Sequence, residues 1–118
     1  MIEIKECSRE FTDIEKYLMT IAPSITSMKD VPDGTRIIVS GILIFDDTKD
    51  STGETSEILS VITPEKKVYS CQSATFKRSI RDISIIMKGK SFTIVKTSGK
   101  TKAGRDFINC LLDLESVR

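Results

Sequence analysis

Hydrophobic positions along the chain change period several times, and each change marks an element. Phe11, Ile14, Leu18 and Ile21 recur at three- and four-residue steps, which predicts an amphipathic helix over residues 11–21. Thr12 and Glu15 have the spacing of a capping box, and Pro23 follows as a stop. Residues 24–29 read as a linker into the Val31-Pro32-Asp33-Gly34-Thr35 turn. From Arg36 to Phe45 the apolar run is long enough for one extended strand with Gly41 inside it, the place for a bulge or bend. A first strand bent in this way can serve both sheets of a small closed barrel.

Residues 46–53 form a polar loop, 54–63 a second strand and 67–71 a short third one. Ser73 is placed to cap a helix whose Phe76, Ile80, Ile83 and Met87 share a face, and Gly89 ends it. Two more apolar runs, Phe92-Thr93-Ile94-Val95 and Phe107-Ile108-Asn109-Cys110-Leu111-Leu112, flank a polar connection over residues 98–104 and predict a β-hairpin. On its second strand Ile108, Cys110, Leu112 and Leu114 alternate with Phe107, Asn109, Leu111 and Asp113. Seven residues is long for a hairpin connection.

The element order is helix, three strands, helix, two strands. The expected fold is mainly β (β+α): a five-stranded OB-like Greek-key barrel with a helix between strands 3 and 4 and an N-terminal helix. Length fits one domain over 1–118, with 1–30 as an N-terminal helical extension and 31–118 as the barrel.

Charge sharpens this picture. Residues 1–65 carry 6 Lys and Arg against 13 Asp and Glu, a net of −7, whereas residues 66–105 carry 11 against 1, a net of +10. The formal net charge of +1 hides that segregation. Either the basic part meets a polyanion, or the two parts pair across the folded surface. The hairpin concentrates the positive charge in Lys96, Lys100, Lys102 and Arg105, with no acidic residue before Asp106. Lys66 and Lys67 precede the short third strand, and Arg36 heads the first.

Catalysis finds little support. The chain has no histidine, the usual general base at neutral pH. Gly99-Lys100-Thr101 resembles the end of a phosphate-binding P-loop, but Ile94 stands where the first glycine belongs. Residues 46–51 have the flavour of a calcium loop, yet Ser51 replaces its glycine. Cys7, Cys71 and Cys110 are odd in number and widely spaced, which argues for a reducing compartment and against a zinc site. No enzyme, cofactor or metal is expected. No apolar run is long enough to cross a membrane and no signal peptide is evident, so the cytoplasm is the expected location.

Binding unpaired strands takes aromatic platforms and a basic groove. Phe45 ends the first strand beside a polar loop, where a ring can be half exposed. Tyr69 should point outward if its neighbour Val68 points inward, and Phe107 faces away from the Ile108/Cys110/Leu112 side. The expected contacts are therefore Phe45, Tyr69 and Phe107 for stacking, with Lys66, Lys67, Lys96, Lys100, Lys102, Arg105 and Arg36 for phosphates.

The Pro32-Asp33-Gly34-Thr35 turn, a strand ending in an aromatic, a Ser-Thr-Gly loop, the Val68-Tyr69-Ser70 strand and the Gly99…Lys102-Ala103-Gly104…Phe107 hairpin occur in that order. Together they resemble the single-stranded DNA-binding proteins of protein-primed, podovirus-type tailed phages. The resemblance implies an OB fold that coats displaced strands in phage DNA replication, in the host cytoplasm. It also implies an aromatic platform at Phe45 and Tyr69, with Thr52 where that family has a third ring. Single-stranded DNA is the expected partner, with replication proteins as further candidates. The rival expectations are an OB-like module that binds an acidic protein and an OB protein that binds RNA.

Overall fold

One strand-to-strand step decides the architecture. The computed structural model describes residues 1–117; Arg118, the last residue of the expected 1–118 unit, lies outside them. The apolar run after the turn at residues 32–35 divides into β3 (Arg36–Val39) and β4 (Gly41–Thr48), and the chain changes sheet between them. β3 pairs antiparallel with β7 (Phe92–Lys100), which pairs with β8 (Asp106–Leu112) to complete a three-stranded sheet. β4 lies in a five-stranded sheet of order β1-β4-β5-β6-β2, with β1 (Ile2–Cys7), β2 (Thr26–Ser27), β5 (Thr55–Ile62) and β6 (Val68–Cys71). The expected run therefore does serve two sheets. Gly41 stands at the switch because β4 passes tightly under Phe11: a Cβ there would come within 2.7 Å of that ring.

Alternation sorts the side chains of β4 and β5 onto two covered faces. Ile42, Ile44, Leu59 and Val61 point into the main core with Ile37, Val39, Ile94 and Cys110 of the other sheet. Leu43, Phe45, Ile62 and Val68 point the other way and pack with Phe11 and Met19. A strand covered on both sides has no polar alternation, which is why Ile42-Leu43-Ile44-Phe45 reads as unbroken hydrophobe.

Helix α1 (Asp13–Thr20) has the capping box its sequence predicts: the Glu15 N–H donates to Thr12 Oγ1 and the Thr12 N–H donates to the Glu15 carboxylate. Its buried face differs from the expected one. Ile14 and Ile21 are 72% and 62% exposed, and Phe11, Glu15 and Met19 turn inward at four-residue steps. The apolar count favoured the first stripe; Glu15 is tolerated in the second because Arg9 and Lys66 reach its carboxylate at 3.0 and 2.8 Å. The first thirty residues also supply β1, for which the sequence carries no assigned element, and β2, which lies inside the expected linker at residues 24–29. β1 alternates Glu3 and Lys5 with Ile2 and Ile4 and pairs on one side only, with β4. Charged residues of this kind suit a sheet edge.

Helix α2 (Ala74–Ile86) starts at the expected cap, with the Phe76 N–H donating to Ser73 Oγ, and leaves through Gly89 at positive φ. Phe76 and Ile80 are buried, and Ile83 and Met87 pack at the edge of the same core. The helix bridges the end of β6 and the free edge of β8, where Ser73 Oγ donates to the Ile108 carbonyl. The fold is thus mainly β with two helices, and its sheets of five and three strands do not close. No helix among the described residues is long and apolar enough to cross a membrane.

Candidate nucleic-acid interface

The β7–β8 hairpin leaves the body as a finger. β3 pairs with β7 only as far as Arg36 and Val95, and from Ser98 to Lys100 the ladder is with β8 alone. Pairing continues to Lys100 and Asp106, so the connection is residues 101–105. It is shorter than the seven residues expected, because Ser98, Gly99 and Lys100 remain in the strand while only Arg105 is added at the other end. A Thr101 carbonyl–Gly104 N–H bond and Gly104 at positive φ close the tip.

Under the finger runs a groove of about 1150 Å³. One wall is the hairpin, through Ser98, Gly99, Lys100, Phe107 and Ile108. The other is the passage from β6 into α2, through Ser70, Cys71, Gln72, Ser73 and Thr75. Ser27 and Lys29 also line it. The first turn of α2 carries no acidic side chain. Phe107 is half-buried and lies across Gly99, its partner on β7, on the hairpin face opposite Cys110.

The cations divide into committed and open ones. Lys100 is 73% exposed and only 3.8 Å from an equally open Asp106. Lys102, Arg105 and Lys29 are exposed and make no ion pair among the described residues. Three expected phosphate contacts are instead engaged within the fold. Lys66 pairs with Glu15 at 2.8 Å, and Arg36 reaches Asp113 and Glu115, each at 3.2 Å. Lys96 is nearly buried and lies 3.0 Å from Asp33. Lys67 is exposed, with its ammonium 5.1 Å above the Tyr69 ring.

Two of the three expected rings are placed differently from the sequence reading. Phe45 is 1% exposed, in the layer between the five-stranded sheet and α1. Tyr69 is 9% exposed and belongs to the main core. The outward direction assigned to Tyr69 assumed a sheet with one wet face. This sheet has none at that point, since Val68 faces the α1 layer and Tyr69 the interior. Neither ring offers a free face, and Thr52 spends its hydroxyl on the Glu54 N–H.

Internal pairing also absorbs much of the charge segregation. The Glu15 carboxyl is held well below its usual range by hydrogen bonds from Arg9 and then Lys66. Hydrogen bonds from Lys5 and then Lys77 hold Glu57 down to about 2. Arg81 bonds to Glu6. Burial pushes the Cys71 thiol, on the groove wall, up to about 11 and the Cys110 thiol up to about 12, so both are protonated, poor nucleophiles at neutral pH.

The sequence reading missed Lys29, Gln72 and Thr75. Lys29 lies in what reads as linker, and its only signal is its place just before the turn at residues 32–35. Gln72 and Thr75 flank the legible cap at Ser73, but nothing in the sequence says that the cap opens onto a groove.

A family model described as phage single-stranded DNA-binding protein matches residues 13–113. No curated protein and no solved structure matches. The match covers both helices, seven whole strands and all of the groove, and the chain belongs to that family.

Proposed function

We propose that this member of the phage family holds single-stranded DNA in the groove beneath the β7–β8 finger, coating strands exposed during phage DNA replication. The observation that carries the reading is the meeting of Lys29, Lys100 and Phe107 on one groove, with Lys102 and Arg105 at the finger tip. Cations without strong internal partners are the ones a polyanion can recruit without breaking the fold. In this reading they track phosphates, Phe107 stacks a base, and the hydroxyls and amide of the opposite wall meet sugars and base edges. Lys67 can add a contact from the rim.

Stacking and charge are both indifferent to base identity, so the grip is sequence-tolerant. The apolar run shared between the two sheets and the helix between β6 and β7 support an OB-like reading of the two sheets. The chain then acts as one such unit, without covalent chemistry. Fluorescence titration with an oligothymidine series at two salt concentrations tests the proposal, and a matched RNA oligomer tests the ligand class.

A further inference from the structure

The turn at residues 32–35 is the most distinctive short motif of the sequence, and the binding reading leaves it without a task. It lies against β7 just where the finger departs. The Gly34 N–H donates to the Lys96 carbonyl at 2.8 Å and the Lys96 N–H to the Thr35 carbonyl at 3.0 Å. Gly34 sits at φ +87, a conformation that suits glycine. One Asp33 carboxylate oxygen is 3.0 Å from Lys96 Nζ, and the other accepts from Ser98 Oγ.

Lys96 and Ser98 both line the groove and share a face of β7. The Lys96 side chain is only 5% exposed, and an ammonium in such a place is costly without a partner. Asp33 is 55% exposed and reaches in from the turn. Beyond Ser98 the finger's remaining ladder bonds are internal. On the other side, Ser73 and Ser79 of the α2 segment brace β8 at Ile108 and Asn109. The finger is therefore held at its root by two struts, one on each strand.

Building on the groove reading, we propose that Asp33 is a positioning residue for strand binding. Through Lys96 and Ser98 it fixes the angle at which the finger leaves the sheet, and so the width of the groove, without touching the strand itself. A preset finger spares the bound state the cost of ordering it.

The test compares the full chain with Asp33→Asn, Lys96→Met and the double variant, by oligothymidine titration at two salt concentrations and by amide hydrogen exchange. Asp33→Asn should weaken binding by about tenfold with an unchanged salt slope, because it removes preorganisation and no phosphate contact. Amides of residues 97–105 should exchange faster while those of β4 and β5 keep their protection. If Asp33→Asn does not fold, the double variant, which removes the orphaned ammonium, should fold and show the same loosened finger.

Wild-type affinity and exchange in Asp33→Asn would overturn the proposal. So would a drop in salt slope of about 0.7 in Lys96→Met, which would make Lys96 a direct phosphate contact. A loosened finger with undiminished affinity would sever the clip from binding. Normal binding by a variant with Lys100, Lys102 and Arg105 all changed to Ala would instead overturn the groove reading beneath it.

Discussion

Phe107 lies so closely across Gly99 that a Cβ added to the glycine would stand 2.8 Å from the tip of the ring. The two are direct partners on adjacent strands, and the missing side chain of one is the seat of the other. Phe107→Ala should lower oligothymidine affinity by about 1–3 kcal/mol, the worth of one stacked base, with little change in salt slope. Gly99→Ala should displace the ring without removing it, giving a smaller loss. Titrations of both variants, with melting curves to confirm that they fold, check this.

The finger should supply charge without sequence preference. Changing Lys100, Lys102 and Arg105 together to Ala should weaken binding to all sequences alike and flatten the log–log salt slope by about 2, from about 0.7 per phosphate contact. Gel shifts with thymidine and mixed-sequence oligomers across a salt series check it.

Phe45 and Tyr69 should behave as core. Phe45→Ala opens a void under α1 and should cost about 3–5 kcal/mol of stability in a denaturant melt. Tyr69→Leu should lower stability but leave the folded protein's oligothymidine affinity unchanged, because the ring offers no free face to a base.

The elements after residue 31 were legible because each carries a local signal: the cap at Ser73, the stop at Gly89, the alternation of Phe107 to Leu112 and the turn at residues 32–35. Depth was not. Whether Tyr69 faces solvent depends on what covers its sheet: its own face meets Met28, Phe76 and the other sheet in the main core, α1 covers the opposite face, and both placements are set by long-range contacts. Glu15 makes the point most clearly. Its burial depends on Lys66, fifty-one residues away, and no window along the chain contains both. For the same reason Lys66 and Lys96 counted as open cations in sequence while their carboxylate partners lay far off.

Acid should loosen the α1 layer, through Glu15, and the ties of β5 to β1 and α2, through Glu57. Glu15 and Glu57 are held below the ordinary carboxylate value of 4.5, so the folded state binds their protons less readily than the unfolded one. Their contribution to stability is full above about pH 4.5 and falls as the pH drops toward 2. Glu15→Gln should remove part of that acid sensitivity while lowering stability at neutral pH, as read from urea melts between pH 7 and 2.5.

The most direct test of the groove is photocrosslinking to a bromodeoxyuridine-substituted oligothymidine, mapped by mass spectrometry. Tyr17, on α1, is 50% exposed and provides an internal control, since it is an open ring outside the groove lining. The account predicts adducts at Phe107 and on neighbouring residues of the finger, lost in Phe107→Ala. Adducts concentrated at Tyr17, with the finger unlabelled, would contradict it.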